Sequence, residues 1–224
     1  MRPKTLDHIA LWVADRGTIA DFCCDHLGMH VIANEEKFTL IGSDARHGKL
    51  TLFDAEGPRE RGALKRVGLR VSSLDSALAA LPDGTGQEFE IAEGLHIRLV
   101  EAPTEIEYDL DHVALAATDP AAAAEEYRSL GFEPSDSADG ASARVEVGGA
   151  YVELHAGEPG EPERPLLNHL AVLVDSAQDH IDEGERRGIV ESVVDAANTY
   201  AVFLWGPDRV RVEYVEHKPT FSLT

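Results

Sequence analysis

Cysteine is nearly missing from this 224-residue chain: the two present, Cys23 and Cys24, are adjacent. Neighbouring thiols cannot staple distant segments, so no disulfide framework is expected, and the usage fits a reducing cytoplasm. Long apolar runs are missing as well. None approaches the roughly 18 residues of a membrane span, although 43% of residues are hydrophobic, ample for a packed core. Met1-Arg2-Pro3-Lys4 leads directly into a strand-like segment with no signal-peptide core, so the expected location is cytoplasmic. Cations are in short supply: Lys and Arg total 20 against 41 Asp and Glu, a net charge of −21. That excess repels phosphate backbones and anionic lipid, which argues against nucleic acid and membranes as partners.

What the chain does have is a phrase that returns. Leu6-Asp7-His8-Ile9-Ala10-Leu11 recurs as Leu110-Asp111-His112-Val113-Ala114-Leu115, and more weakly as Leu167-Asn168-His169-Leu170-Ala171-Val172. Each copy reads as the start of a strand, followed by a helix. A strand, a helix and further strands recur four times, beginning near Leu6, Val67, Leu110 and Leu166. Gly28, Gly131 and Gly188 stand where helices stop, Asp119-Pro120 where one starts, and Gly206-Pro207-Asp208 where the last hairpin turns. The expected fold is α+β: four βαβββ modules in two tandem halves, each half a curved mixed sheet enclosing a pocket, with helices outside. The acidic stretch Glu101-Ala102-Pro103-Thr104-Glu105 is the expected link, dividing the chain into 1–105 and 106–224.

The strand period of two assigns faces. His112 shares a face with Ala114 and Ala116, and the other face carries Val113, Leu115 and Ala117. His169 likewise shares a face with Ala171, opposite Leu170 and Val172. Both imidazoles therefore leave the helix-packing side and point into a concavity floored by small residues. Glu213 is a carboxylate inside the apolar strand Val210–Val215, a costly place without a cation. Two imidazoles and a carboxylate make the facial triad of non-haem iron(II) oxygenases, so His112, His169 and Glu213 are the expected metal ligands. Glu153 is a candidate fourth ligand, and His155, two residues on, a candidate acid/base.

These residues resemble the vicinal oxygen chelate superfamily, which includes glyoxalase I, extradiol ring-cleaving dioxygenases, methylmalonyl-CoA epimerase and fosfomycin or bleomycin resistance proteins. There, metal ligands come from the first and last strands of modules, the places of His112, His169 and Glu213. A degenerate front half and a ligand-bearing rear half are similar to type I extradiol dioxygenases. That resemblance implies Fe(II), with Mn(II), Ni(II) or Zn(II) as other ions, a catecholic or other vicinal-oxygen small molecule as substrate, and dioxygen as co-substrate. It also implies an acid/base histidine at the place of His155. Phe203 stands where that group has a tyrosine ten residues before the ligand glutamate, and the segment 194–198 lacks its further histidine. Tyr151, Asn198, Tyr200 and Phe203 are the expected substrate-lining residues. A glyoxalase- or epimerase-like lyase or isomerase, with Glu153 as fourth ligand, is one alternative. A non-catalytic, resistance-type binding protein is another. A homo-oligomer is an expectation, although four modules could complete a pocket alone.

His8 carries the same motif as His112 but is read as a relic held by hydrogen bonds. Alignment of the modules places Leu52 where Glu153 sits, Gly68 or Leu69 where His169 sits, and Arg98 where Glu213 sits. Cys23 and Cys24 are read as helix packing residues rather than nucleophiles.

Overall fold

The computed structural model describes residues 1–136 and 140–221. Its first module is β1 (Thr5–Val13), α1 (Arg16–His26), β2 (His30–Asn34), β3 (Phe38–Gly42) and β4 (Lys49–Asp54). The second is shorter by one strand: β5 (Leu64–Val71), α2 (Leu74–Ala80), β6 (Glu88–Glu90) and β7 (His96–Glu101). The third is β8 (Asp109–Ala117), α3 (Pro120–Ser129), β9 (Glu133–Ser135), β10 (Ala143–Val147) and β11 (Ala150–Ala156). The fourth is β12 (Leu167–Leu173), α4 (Ala177–Arg187), β13 (Val190–Asp195), β14 (Thr199–Trp205) and β15 (Arg211–His217). No helix among the described residues is long and apolar enough to cross a membrane.

The punctuation residues act as their chemistry requires. Asp15, Ser73, Asp119 and Ser176 each accept a backbone N–H from the first turn of the helix they precede. Gly188 closes α4 in the left-handed region at φ 66°, where a side chain would be strained.

Two mixed sheets result, and each draws one module from either side of residue 105. The eight-stranded sheet runs β13-β14-β15-β12-β1-β4-β3-β2, joining modules one and four. The seven-stranded sheet runs β6-β7-β5-β8-β11-β10-β9, joining modules two and three. In each, the first strands of the two modules pair antiparallel at the centre, β1 with β12 and β5 with β8. Each first strand then pairs parallel with the last strand of its own module. α1 and α4 cover one sheet, α2 and α3 the other. Beneath them lie alternate residues such as Ile9, Leu11, Leu170, Val172, Val212 and Tyr214, all fully buried. This burial, at about 25 cal/mol per Å² of apolar surface, fixes the strand register, because a one-residue slip would turn the helix-side residues outward.

The pairing decides which histidines can meet. His8 and His169 lie on adjacent central strands, whereas His112 lies in the other sheet.

Candidate metal centre

On the face of the eight-stranded sheet that the helices do not cover, small residues make a floor. Ala10, Ala171 and Ala201 are essentially inaccessible, and the last two pack with Val215 in a cluster of their own. From this floor rise His8 on β1, His169 on β12 and Glu213 on β15. Ala171 pairs with both His8 and Glu213, and Ala10 with His169, so three neighbouring strands deliver one ligand each. His8 Nε2 lies 3.2 Å from His169 Nε2 and 3.3 Å from Glu213 Oε2, and His169 Nε2 lies 3.0 Å from the same oxygen.

The far nitrogens fix the near ones. Arg211 Nη1 donates to Asn168 Oδ1 at 2.8 Å, so that atom is the amide oxygen, and His169 Nδ1, 2.9 Å away, must carry the hydrogen. His8 Nδ1 likewise donates to Asp7 Oδ1 at 2.8 Å. Each ring is thus held with Nε2 towards its partners, the arrangement that outer-shell acceptors impose on metal-binding histidines. Asp7 is in turn held by Lys49 Nζ at 2.8 Å and His217 Nε2 at 3.1 Å.

Electrostatics show what the cluster wants. Burial opposes charge on His8, yet hydrogen bonds to Asp7 and Glu213, and their charges, raise it to about 9. Burial pushes His169 down, with His8 and Arg211 adding to the effect against Glu213, so His169 is neutral near pH 7. Burial opposes ionisation of Glu213, but His169 and His8 hold it well below the usual carboxylate range. Two nitrogens and an anionic oxygen therefore converge on a space where a proton on His8 supplies the positive charge.

A divalent cation fits this donor set. Three atoms on one face of an octahedron with bonds of about 2.1–2.3 Å are about 3.0–3.3 Å apart, the spacing found here. No fourth His, Cys or carboxylate joins the group among the described residues. The chelate space is walled by rings: Phe203 lies 5.0 Å and Phe53 6.2 Å from His169, and Trp12 and Phe38 pack on Phe53. Beside it opens a cavity of about 550 Å³ bordered by Trp12, Asn168, Arg211, Trp205 and the segment 159–165. Its size suits a small molecule.

The residues expected from sequence divide between the two sheets. His169, Glu213 and Phe203 meet at this centre, and His8, read as a relic, completes it in place of His112. His112 and Glu153 face Arg66, whose Nη2 is 2.8 Å from Glu153 Oε2 and whose Nε is 3.2 Å from His112 Nε2. His155 Nε2 lies 3.5 Å from Glu153 on that second face, and Tyr151 pairs with His112 there. Tyr200 Oη donates to Gln178 of α4, so its ring is on the helix side, and Asn198 is exposed in the β13–β14 turn. Register also corrects the module alignment. Thr51, not Leu52, is the counterpart of Glu153, and Arg66, not Gly68 or Leu69, is the counterpart of His169. Arg98 does stand opposite Gly68 as Glu213 stands opposite Ala171. Cys23 is buried in α1, and burial pushes its thiol up to about 12, the state of a packing residue.

The model of the Glyoxalase/Bleomycin resistance protein/Dioxygenase superfamily matches residues 5–99 and 109–214. A Bacillus subtilis protein described as a candidate dioxygenase has the same fold with a TM-score of 0.78 at 16% identity, covering 97% of this chain and 86% of its own. Glyoxalase I from Zea mays superposes with a TM-score of 0.74 at 15% identity, covering 95% and 92%. The cppA protein of Streptococcus pneumoniae gives 0.63 at 14%, covering 96% and 100%. No curated protein is a significant match by sequence.

Proposed function

The chain belongs to the glyoxalase/bleomycin resistance protein/dioxygenase superfamily across both halves, and from that premise we propose that it is a metal-dependent enzyme whose divalent cation is held by His8, His169 and Glu213. The observation that carries this reading is the convergence of three ligand atoms at 3.0–3.3 Å with both imidazoles pinned through their other nitrogens. Held by His8, His169 and Glu213, the ion would supply Lewis acidity, which would lower the pKa of a substrate oxygen. Asp7 and Asn168 hold the two rings in their ligating tautomer. Phe53, Phe203 and Trp12 exclude water from the chelate and offer flat apolar surface to an aromatic ring.

The fold hosts both oxidoreductases and lyases, so the donor set has to choose between them. Thr51 stands where a four-ligand site would carry a carboxylate, and three protein ligands leave the most room for substrate and a second reactant. That favours an extradiol-dioxygenase-like reaction on a catecholic or similar vicinal-oxygen substrate, with Fe(II) as the ion. His155 has no part in it, because it belongs to the other sheet.

The test is oxygen consumption by protein reconstituted anaerobically with Fe(II) and offered a catechol panel, with a 2-oxoaldehyde hemithioacetal as the second arm. Uptake with a ring-opened product is expected. Turnover of the hemithioacetal without oxygen would replace the reading with a lyase. Ligand binding by a protein that takes no ion would replace it with a resistance-type binder.

A further inference from the structure

The seven-stranded sheet repeats the metal centre with a side chain in place of the ion. By strand register, His112 stands where His8 stands, Arg66 where His169 stands, Arg98 where Glu213 stands and Glu153 where Thr51 stands. The second arrangement is as well built as the first. His112 Nδ1 donates to Asp111 Oδ2 at 2.8 Å, as His8 does to Asp7. Arg70 braces Asp111 as Lys49 braces Asp7. A Cβ on Gly68 would lie 2.2 Å from His112 Nδ1, so the ring is seated against bare backbone.

Arg66 is 8% exposed and fills the centre of this cluster. Its Nε donates to His112 Nε2, the lone pair an ion would take, and its Nη2 donates to Glu153 Oε2. A guanidinium does not deprotonate in proteins, so this positive charge is permanent and cannot exchange. His112 and Glu153 thereby keep the buried charge balance that His8, His169 and Glu213 would gain from a cation.

We propose that the second concave face is a latent divalent-metal site locked by Arg66, which does the work of both the missing ligand and the ion. The chain then carries one exchangeable ion rather than two. Arg66→His opens a second site on His112, Glu153 and the introduced imidazole. The count of one rests on the metal reading of the first face; the opening of the second site does not.

The probe is Co(II) alone, titrated anaerobically into chelator-treated full-length protein, with bound ion measured by equilibrium dialysis and by visible absorption. Circular dichroism checks that each variant is folded. The parent should bind one equivalent and the double variant His8→Ala, Glu213→Ala none. Arg66→His should bind one more than the parent, and adding Glu153→Gln should remove it. If Arg66→His does not fold, Arg66→His with Arg98→Glu, which restores the full donor set, takes its place. Two equivalents in the parent, an ion retained by the folded double variant, or no gain in the folded Arg66 variants would overturn the proposal. No ion in the parent with one in Arg66→His would instead overturn the function assigned to the first face and leave the second-face assignment standing.

Discussion

Asp7→Asn isolates the support of the metal centre from its ligands. Asp7 is 3% exposed and accepts from His8, Lys49 and His217. The substitution keeps size and an amide oxygen for His8 but removes the charge. Lys49, 2% exposed, is left as a buried ammonium without its counter-charge. Breaking a buried pair from one side costs about 3–5 kcal/mol, and each kcal/mol moves Tm by about 2–4 °C in a chain of this size, so a fall of about 6–20 °C is expected. Asp7→Asn with Lys49→Met should recover most of the loss, because it removes the stranded charge. The pH dependence has a fixed sign. Burial opposes ionisation, but His217, His8 and Lys49 hold Asp7 well below its ordinary value. A depressed folded-state pKa gives stability that is present above the unfolded value, about 3.9, and is lost as pH falls through the folded one. The gap between parent and variant should therefore be full at neutral pH and close in acid. Differential scanning calorimetry of chelator-treated protein reads all of this. A shift below about 2 °C at neutral pH, or no recovery in the double variant, would refute the reasoning.

Metal affinity should rise with pH, by up to about tenfold per unit, until His8 loses its proton at about 9, since proton and ion compete for Nε2; competition against a chromophoric chelator measures this, and a flat profile would contradict it. Asn168→Ala should weaken ion binding about 10–100-fold by freeing the His169 ring, and should also lower Tm, because the buried His169 Nδ1–H and an Arg211 N–H lose their acceptor at a cost of about 1–3 kcal/mol. Gly68→Ala should cost about 1–3 kcal/mol or more in thermal unfolding because its Cβ meets the His112 ring, while ion content stays at the parent level. Phe203→Ala should raise KM for an aromatic substrate by removing a ring 5.0 Å from His169, and a KM at the parent value would place substrate elsewhere.

The modules, helix stops and face assignments were legible because they are local. Period-two alternation put His112, His169 and Glu213 off the helix side, and the structure keeps all three there. The partnership of modules was not legible, because it is a long-range choice between two copies of one phrase. Leu6-Asp7-His8 and Leu110-Asp111-His112 offer the same ligand in the same local setting. Which copy meets His169 depends on β1, rather than β8, pairing with β12. A signal was present in Arg66 and Arg98. Neither arginine, at the ligand places of the second module, can hold an ion, and Arg66 balances the charge of Glu153 beside His112; pairing that module with the third would have left His8 for His169 and Glu213. Tyr200 was misplaced for a smaller reason: its hydroxyl finds Gln178 on α4, and period two from Phe203 already puts it on the opposite face.

The most direct measurement is the ion content of three proteins purified anaerobically and analysed by elemental analysis: the parent, His8→Ala and His112→Ala. The structure predicts that His8→Ala loses the ion and His112→Ala keeps it. Loss in His112→Ala with retention in His8→Ala would contradict the account.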